Sequence, residues 1–424
     1  MLEKDYKIVL LVPNFKIIYF DRYKSENIII EGIVPKLSRR DLFFRNVFLW
    51  LLSTRTIDIK NQSKLAETGN YLNFALHRIV SVVLARFSFP HKIFRLIDSF
   101  LSERPLFDDL LSKYKPVLIF STDFQNELEV ILLKAAKKNR IKNLAMVRSW
   151  DNITSKGVSR VLPDKFIVNN DLIKNELQEF DFIEPSVISV IGIPHYDRYK
   201  TFQPESKESF FRSCGFDLSK KLIVYAPIGD RYISPNTIDE KVVAILSTLN
   251  ENVLVRLPPT DTVQSLSGKS FGNNVFFEYT GGRSWKSRWG KEGAKVNEIS
   301  EKDDDRLITT LRCADVLVAG PTTMIIDAAI FDIPVVLVDF EGEEDRKYAL
   351  GVRRYYDYNH FNYIRQSGGV RFARTPSELF RLVRRYCSDR TIDSKGRKKI
   401  VDGECYLLDM HSTERLYDVI RNSL

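Results

Sequence analysis

The sequence predicts an α/β protein built from two doubly wound domains. From residue 116 the chain alternates short apolar strands with amphipathic helices, and a second alternation begins at residue 222. A polar stretch at 203–207 lies between the two and is interpreted as a linker. Such alternation is typical of a parallel sheet with helices on both faces. A chain of 424 residues has the length of two such domains.

The composition is that of a globular protein with an excess of positive charge. Hydrophobic residues make up 44% of the chain and charged residues 28%, which excludes a disordered or low-complexity protein. The formal net charge of +9 suits an anionic partner, such as a nucleotide, a nucleic acid or an acidic lipid surface. No basic run interleaved with aromatic residues stands out, so we expect no nucleic-acid partner.

Metal-binding and redox motifs do not stand out in the sequence. The four cysteines form no Cys-x-x-Cys pair, and the five histidines form no His-Glu-x-x-His motif. Asp303, Asp304 and Asp305 open a predicted helix, where acidic residues complement the helix dipole. We therefore interpret this run as a cap, and we expect neither a metal site nor a cofactor.

Targeting signals are not evident either. The apolar run 8–12 is too short for a secretory signal, and no segment has the roughly 20 apolar residues that a transmembrane helix needs. We expect a cytoplasmic protein, or one that is peripheral on the inner membrane face.

Residues 40–110 are predicted to be mostly helical and are rich in Phe, Leu and Arg. Within 71–101, apolar residues recur at helical spacing with basic residues between them. This pattern fits helices that face a core. It also fits a basic, aromatic surface that docks on lipid, which would give weak binding to anionic membranes.

The first predicted domain opens with a strand at 7–12 and resumes after the helical region. Its further strands are short apolar runs next to turn residues, at 117–120, 143–147, 165–168 and 187–191. Its helices have apolar residues at helical spacing, at 126–139 and 171–180.

The second predicted domain has the same alternation. Its strands are placed at 222–226, 253–257, 275–278, 316–319 and 335–339, and a final helix at 410–424. Ligands of such sheets bind at the carboxyl ends of the strands, and two facing domains form a cleft.

The most informative segment is 303–340, in which a strand, a tight turn and a helix follow one another. Gly320 allows close approach in the turn, and Thr322 and Thr323 open the helix. A helix start exposes unpaired N–H groups and a partial positive charge, so this turn suits a diphosphate. Asp327 lies about 6 Å further along the axis, within reach of a ribose. The alternative is an ordinary cap followed by a solvated aspartate.

A resemblance to a known family is carried by residues 314–340, ADVLVAGPTTMIIDAAIFDIPVVLVDF. The segment resembles the C-terminal nucleotide-diphosphate site of GT-B glycosyltransferases and of the related CDP-glycerol glycerophosphotransferases. The shared pattern is an aspartate-led strand, a Ser/Thr pair, an acidic residue on the next helix and a proline-led strand. By this resemblance Thr322 and Thr323 would hold the diphosphate and Asp327 the ribose, although many relatives carry Glu there.

Two further segments resemble the same group as it occurs in bacterial surface-polysaccharide proteins: 149–157, SWDNITSKG, and 190–197, VIGIPHYD. The residues that we assign to acceptor binding are Ser149, Trp150, Asn152 and Lys156. Trp150 would stack on a sugar ring, or it is a core aromatic. Lys156 would steady an acceptor phosphate. The resemblance covers roughly residues 115–345.

The sequence also departs from the family pattern. Many relatives have a His-Pro pair after the strand at 253–257, where this chain has Leu257-Pro258-Pro259. The arginine-rich signature of the non-hydrolysing UDP-GlcNAc 2-epimerases is missing. A resemblance in fold therefore does not bring epimerase activity with it.

Further candidates follow the carboxyl ends of predicted strands. Arg256 and Arg231 in the second domain would pair with phosphate oxygens, or they form surface salt bridges. Asp123 and Asp151 in the first domain are candidates for the base that deprotonates the acceptor hydroxyl, or they are helix caps. His195 lies at the domain crossover and is a further catalytic candidate.

The resemblance implies a GT-B type fold, with two Rossmann-like domains facing across a cleft. Residues 1–195 would form an acceptor-binding domain and 196–405 a donor-binding domain, and helix 406–424 would pack back on the first. The expected function is sugar transfer from a nucleotide-activated donor to a glycan or lipid-linked acceptor in surface polysaccharide synthesis. The alternatives are transfer of glycerol phosphate from CDP-glycerol and a non-catalytic nucleotide-sugar binding module.

Overall fold

The structure is a computed structural model that describes residues 1–34, 37–101, 105–259, 261–280, 283–286, 295–298, 300–342 and 345–424. Internal contacts divide the chain into two compact units. Unit 1 comprises Met1–Ile57, Leu72–Asp197 and Tyr406–Leu424, and unit 2 comprises Asp58–Tyr71 and Arg198–Cys405. The polar stretch 203–207 therefore lies inside unit 2 and is not a linker. The acceptor and donor roles of the two domains stay predictions.

Helices and strands alternate along most of the described chain. In chain order the strands are β1 (Ile8–Pro13), β2 (Ile28–Ile33), β3 (Leu118–Ser121), β4 (Lys142–Met146), β5 (Lys165–Val168), β6 (Ile188–Val190), β7 (Leu222–Ala226), β8 (Asn252–Leu257), β9 (Val275–Tyr279), β10 (Arg283–Lys286), β11 (Lys295–Glu298), β12 (Val316–Ala319), β13 (Val335–Val338) and β14 (Val370–Ala373).

Most of the helices are short and lie between these strands. In chain order they are α1 (Ile17–Phe20), α2 (Arg39–Trp50), α3 (Arg55–Thr68), α4 (Tyr71–Val83), α5 (Ser88–Leu101), α6 (Pro105–Tyr114), α7 (Glu127–Lys138), α8 (Asn152–Ser155), α9 (Asp171–Asp181), α10 (Pro194–Thr201), α11 (Lys207–Cys214), α12 (Ile238–Ser247), α13 (Glu301–Cys313), α14 (Met324–Ile330), α15 (Arg353–Tyr356), α16 (Asn362–Ser367), α17 (Pro376–Ser388), α18 (Ser394–Glu404) and α19 (Ser412–Arg421).

The main sheet of unit 1 has four parallel strands in the order β3-β4-β5-β6. Both faces are covered, as the near-continuous apolar strands predict. On one face Val130 of α7 and Leu177 of α9 belong to the buried core. On the other face Ile420 of α19 packs with Leu144 and Ile167. The C-terminal helix therefore completes the core of unit 1.

Strands β1 and β2 form a separate two-stranded parallel sheet in unit 1. The sequence pattern of 7–12 predicts a buried strand, but β1 is mostly half-buried. A two-stranded sheet is too small to bury both of its faces. Ile33 of this sheet packs with Ile131 and Ala135 of α7.

Helices α4 and α5 correct one interpretation of the sequence. Leu72, Leu76 and Ile79 of α4 are exposed, and so are Leu96 and Phe100 of α5. The core-facing interpretation is therefore wrong for these residues, whereas Val80, Leu84 and Phe94 of the same segment do pack against the core. No single described helix has the length and apolar composition to cross a membrane. The two helices satisfy that criterion only when taken together, with a bend of 114° between them.

The main sheet of unit 2 has six parallel strands in the order β14-β13-β12-β7-β8-β9. The strands that follow β7 in the chain are added first on one side, as β8 and β9. The later strands β12, β13 and β14 are added on the other side. The direction of winding thus reverses between β7 and β12, which is the topological switch point of a doubly wound sheet. The predicted α/β class with two parallel sheets is confirmed.

Glu404, at the end of α18, makes the stability of unit 2 depend on pH. Its side chain is buried, and burial raises the pKa of its carboxyl from 4.5 to about 8. Between these values the folded chain holds a proton that the unfolded chain releases, so the stability falls as the pH rises. We expect Glu404→Gln, which is neutral throughout, to be more stable than the native chain by about 3 kcal/mol near pH 7 and equally stable near pH 4.

Urea unfolding at several pH values measures this difference. Asp402→Asn is the matched control, because Asp402 is an exposed carboxylate on the same helix. The difference in unfolding free energy between Asp402→Asn and the native chain should change little between pH 4 and pH 7. A constant difference between Glu404→Gln and the native chain at all pH values would show that the buried carboxyl does not titrate in this window.

Candidate functional site

The loop after β7 is held by a buried carboxylate. Asp239, in the first turn of α12, accepts hydrogen bonds from the N–H of Ile228 at 2.8 Å and of Gly229 at 3.0 Å. It also accepts one from the Nδ2 of Asn236 at 2.6 Å and one from the hydroxyl of Tyr225. Burial raises the pKa of Asp239, while these donors stabilise its ionised form. Four donors on one carboxylate fix the backbone at the carboxyl end of β7.

A second set of contacts joins this loop to the loop after β8. The Oδ2 of Asp230 accepts hydrogen bonds from the N–H of Gln264 and from the hydroxyl of Thr262, both at 2.9 Å. The backbone N–H of Arg231 donates to the Oδ2 of Asp261 at 3.0 Å. The Arg231 side chain is exposed and forms no ion pair with any residue that the structure describes. A guanidinium is thus presented to solvent on a fixed backbone.

Gly320 brings the turn after β12 against the same loop. A Cβ placed on Gly320 would lie 2.5 Å from Cγ1 of Ile228, closer than atoms can approach. A glycine is therefore required where these two loops touch. The contact lies at the carboxyl edge, between β7 and β12. The predicted turn thus lies at the topological switch point of the sheet.

Thr322 and Thr323 precede α14, whose first helical residue is Met324. The Oγ1 of Thr322 accepts a hydrogen bond from the N–H of Met324 at 3.3 Å. Thr323 occupies the N-cap position, is exposed, and its side chain makes no capping hydrogen bond. The Thr323 hydroxyl therefore remains available for a ligand, whereas the Thr322 hydroxyl already stabilises the helix start.

Asp327 lies in the interior of unit 2. Its Oδ1 accepts a hydrogen bond from the hydroxyl of Tyr199 at 3.1 Å, and both residues are buried. Burial and the Asp327 charge raise the pKa of Tyr199 well above its ordinary value. The carboxylate that the sequence assigns to a ribose thus has a protein partner. Its role in ribose binding stays a prediction.

Arg256 is buried and paired. Its guanidinium forms an ion pair with Glu278 and donates to the carbonyl of Asp303 at 3.3 Å. The pairing follows from the register of β8 and β9, in which Arg256 and Glu278 lie opposite each other. Arg306 also pairs with Glu278, at 2.6 Å. Since this guanidinium already has a carboxylate partner, Arg231 is the more accessible cation for a phosphate, and phosphate binding by Arg256 stays a prediction.

The acidic candidates of unit 1 follow two neighbouring strands. Asp123 follows β3, and its Oδ2 lies 3.8 Å from an Nη of Arg148, which follows β4. The N–H of Asp123 and the Oγ of Ser121 both donate to Glu129, at 2.9 and 2.7 Å. Burial raises the pKa of Glu129. The structure thus places Asp123 between a half-buried acid and an exposed cation.

Asp151 and the predicted acceptor residues lie on the segment after β4. Asp151 precedes α8, and its Oδ2 accepts a hydrogen bond from the Ser155 hydroxyl at 3.3 Å. Asn152 is 0% exposed, and neither its Oδ1 nor its Nδ2 has a hydrogen-bond partner among the described residues. Ser149 and Trp150 are half-buried, whereas Lys156 is exposed. Asn152 is therefore the candidate here whose polar groups have unmet hydrogen-bonding capacity.

His195 lies apart from these residues within unit 1. It is exposed on α10, which follows β6. Three strand spacings separate β6 from β3, or about 14 Å at ordinary sheet geometry. His195 is thus at the same edge as Asp123 but not beside it. Its catalytic role stays a prediction.

The acidic run 303–305 has structural partners. Asp303 and Ser300 form a capping box at the start of α13. Asp304 and Asp305 both form ion pairs with Arg198. In the part of the chain that the structure describes, no group of three His, Cys, Asp or Glu side chains is placed to hold a metal ion.

Sequence reasoning missed several residues that shape these edges: Tyr199, Asp239, Asp261 and Glu129. Glu129 and Asp239 have a weak local signal, since each is an acidic residue in the first turn of a helix after a strand. Tyr199 has no local sequence signal, because its partner Asp327 is 128 positions away in the chain.

Comparison with known proteins gives matches in structure alone. No protein-family model matches the sequence, and no curated protein matches it. Arabidopsis thaliana UGT89C1 in complex with UDP aligns with TM-score 0.51 and 12% identity, over 100% of this chain and 93% of that chain. S. aureus MnaA in complex with UDP aligns with TM-score 0.50 and 11% identity, over 98% and 96%. A glycosyltransferase from Rickettsia africae aligns with TM-score 0.48 and 12% identity, over 97% and 90%.

The chain has a GT-B type of fold. The alignments with UGT89C1 and MnaA extend over nearly all of this chain, and each unit has its own parallel sheet. At 11–12% identity this likeness shows the fold alone. The function of this GT-B protein has to be argued from its own residues.

Proposed function

We propose that this GT-B protein is a glycosyltransferase that moves a sugar from a nucleotide-activated donor to a glycan or lipid-linked acceptor in surface polysaccharide synthesis. The observation that supports it most is the switch point between β7 and β12. There the exposed guanidinium of Arg231 and the unengaged hydroxyl of Thr323 lie on loops that Gly320 holds together. Cations and hydroxyl donors at a switch point suit a nucleoside diphosphate.

On the donor side, we propose that the protein stabilises the nucleoside diphosphate that leaves the sugar. As the bond from the sugar to the diphosphate breaks, negative charge develops on the diphosphate oxygens. Arg231 and the Thr323 hydroxyl would stabilise that charge without a metal ion. UGT89C1 and MnaA were solved with UDP, so UDP is the first nucleotide to test.

The chemistry proposed for the acceptor requires one base. A carboxylate that accepts the hydroxyl proton of the acceptor turns it into a nucleophile. We assign this role to Asp123, whose carboxylate lies 3.8 Å from the exposed guanidinium of Arg148, and Asp151, which accepts a hydrogen bond from the Ser155 hydroxyl, is the alternative. We also propose that the segment around Asn152 contacts the acceptor. Ser149, Trp150 and Lys156 flank Asn152 in the chain.

Thr323→Val tests the donor site. Valine keeps the β-branched shape and removes a hydroxyl that stabilises nothing in the protein. We expect the affinity for the preferred nucleoside diphosphate to fall roughly tenfold to hundredfold, as the loss of one hydrogen bond to a charged group implies. Calorimetric titration with UDP, GDP, CDP and dTDP measures the affinity and identifies the nucleobase that the site prefers.

Thr248→Val is the matched control. Thr248 is an exposed threonine that follows α12 and precedes β8, so it lies at the amino edge of the same sheet. Its substitution should leave the affinity unchanged. Without ligand, Thr323→Val should melt at the native temperature, and Thr248→Val slightly below it, because the Thr248 hydroxyl donates to the carbonyl of Ile245 at 2.7 Å. If Thr323→Val binds every nucleotide as tightly as the native chain, this turn is not the diphosphate site.

Nucleotide release from activated donors decides between the functions considered. Release of UDP or GDP from a nucleotide sugar in the presence of an acceptor supports sugar transfer. Release of CMP from CDP-glycerol would instead support the glycerophosphotransferase alternative. Tight binding with no turnover on any acceptor would support a non-catalytic module.

We also propose that the protein acts at a membrane. A lipid-linked acceptor would be presented at the inner membrane face, and the net charge of +9 favours an anionic surface. The predicted contact lies within residues 40–100, and the exposed apolar side chains of α4 and α5 fall in that range.

A further inference from the structure

Helix α5 is amphipathic, but its apolar face is exposed and its polar face is buried. Phe89, Ile93, Leu96, Ile97 and Phe100 follow one another at helical spacing and are all exposed, Leu96 by 72% and Phe100 by 87%. The polar residues His91 and Asp98 of the same helix are buried instead. A helix that turns its apolar face to solvent needs another apolar phase to cover that face.

Helix α4 has the same inversion. Leu72, Leu76, Ile79 and Val83 are exposed, and the buried residues are His77 and Ser81. With 13 and 14 residues, α4 and α5 are each about 20 Å long, shorter than the roughly 30 Å of a bilayer core. Helices of this length with a 114° bend suit the interface of a membrane.

A cation-lined pocket of about 310 Å³ borders the exposed face of α5. Leu96 lines it from α5, so the apolar face continues into the pocket. Its basic residues are Lys92, Arg95, Lys134, Lys137 and Arg160, and no acidic side chain is among the lining residues. A pocket with this lining suits a compact anion on a small organic group.

Two of these cations are fixed from below by one buried carboxylate. The guanidinium of Arg160 donates two hydrogen bonds to Asp98, at 2.9 and 3.0 Å. The ammonium of Lys134 lies 2.5 Å from the same carboxylate. Burial lowers the pKa of Lys134 to about 8, so its charge is poorly solvated and an added anion would stabilise it.

The two other lysines are exposed at the rim of the pocket. Lys92 and Lys137 form no ion pair with any residue that the structure describes. They are free to approach an anion that enters from the apolar side of α5. The cations at the base are each held by a carboxylate, so the uncompensated positive charge of the pocket is that of Lys92 and Lys137 at its rim.

We propose that this pocket binds the phosphate of a membrane lipid headgroup while the exposed faces of α4 and α5 lie in the bilayer interface. The proposal rests on the membrane association proposed above, but it uses none of the donor-site residues. It is also separate from Asp123, since Asn126 at the start of α7 and Lys137 near its end are about 16 Å apart along the helix. Charge complementarity selects the occupant, because cations beside an apolar face match a phosphate beside acyl chains.

Flotation with vesicles of phosphatidylcholine, alone or mixed equally with phosphatidylglycerol, tests the pocket. We expect native protein to float with the mixed vesicles. The double variant Lys92→Gln/Lys137→Gln should bind them about tenfold or more weakly. Lys138→Gln/Lys142→Gln removes the same charge from exposed residues of unit 1 that do not line the pocket, and it should bind as the native chain does.

Leu96→Ser/Phe100→Ser tests the apolar face. This variant should lose the part of vesicle binding that persists at high salt, where electrostatic attraction is screened. Both side chains are exposed, so the melting temperature should stay at the native value. If the two lysine pairs weaken binding equally, the attraction is a general surface charge and the pocket proposal is overturned.

Soluble sn-glycerol 1-phosphate distinguishes a lipid from a free phosphate ligand. Competition with the vesicles at millimolar concentration supports a headgroup site. Thermal stabilisation by glycerol phosphate without any vesicle binding would overturn the lipid proposal in favour of a soluble ligand. Nucleotide titration of the same variants keeps the two proposals apart, because loss of vesicle binding with native nucleotide affinity leaves the donor site intact.

Discussion

Replacing Asp123 with asparagine is expected to slow sugar transfer by about 10²–10⁴-fold, the usual contribution of a positioned general base. Asparagine keeps the volume of the side chain but does not accept the proton of the acceptor hydroxyl. The N–H of Asp123 would still donate to Glu129, so the local backbone should be retained. Steady-state turnover measures the loss, with the nucleotide sugar from which the native protein releases nucleotide as the donor. Nucleotide affinity should stay at the native value, because Asp123 lies in unit 1 and the donor residues lie in unit 2.

Asp151→Asn is the matched comparison. This residue lies on the next strand connection, and its carboxylate already accepts a hydrogen bond from Ser155. We expect a smaller loss of turnover than for Asp123→Asn, together with a modest loss of stability from the weakened hydrogen bond to Ser155. If Asp151→Asn abolishes turnover and Asp123→Asn does not, the assignment of the base is reversed.

Replacing Asp98 with alanine is expected to lower the free energy of unfolding by about 3–5 kcal/mol. Asp98 is 0% exposed and is the shared partner of Arg160 and Lys134. Without it, two buried cations would face each other and lose their principal anion. Glu127 and Asp41 would still pair with Arg160, so we expect Lys134 to lose most of its compensation. Urea unfolding followed by circular dichroism measures the change.

Asp109→Ala provides the control for this prediction. Asp109 is an exposed aspartate of α6 in the same unit, and its loss should change the unfolding free energy by less than about 0.5 kcal/mol. A second variant, Asp98→Ala/Lys134→Met, should recover part of the loss, because it removes the buried ammonium that Asp98 pairs with in the native chain. If the double variant is no more stable than Asp98→Ala, charge pairing does not explain the effect of Asp98.

The same network connects stability to the proposed lipid site. Asp98 is the residue that holds Lys134 and Arg160 at the base of the pocket. Because Asp98, Asp41 and Glu127 already compensate these two charges, the attraction for an incoming phosphate comes from the exposed Lys92 and Lys137. The free-energy cost of burying Lys134 and Arg160 is offset by their ion pairs with Asp98.

The strand–turn–helix of 316–330 could be predicted from sequence because its determinants are local. Gly320 allows the turn, the threonine pair precedes the helix, and the apolar residues that follow recur at helical spacing. The alternation of strands and helices likewise predicted two parallel sheets. Both results depend on backbone geometry over a few residues, which the sequence contains directly.

The partners of the candidate residues were decided by tertiary structure. Arg256 was predicted to bind phosphate, but β8 pairs with β9 in a register that places Glu278 beside it. Asp327 was predicted to meet a ribose, but its carboxylate accepts from Tyr199. Neither partner is close in sequence, and nothing local to Arg256 or Asp327 predicts it.

Helices α4 and α5 show most clearly what the sequence determines and what only the tertiary structure decides. The sequence by itself determined that 71–101 is helical and amphipathic, since the helical repeat of 3.6 residues brings the apolar residues of each helix to one face. Only the tertiary structure decided that this face is exposed and that the polar face carrying Asp98 is buried. Periodicity groups residues on a face, but the charges that Arg160 and Lys134 bring from distant parts of the chain determine which face points inward.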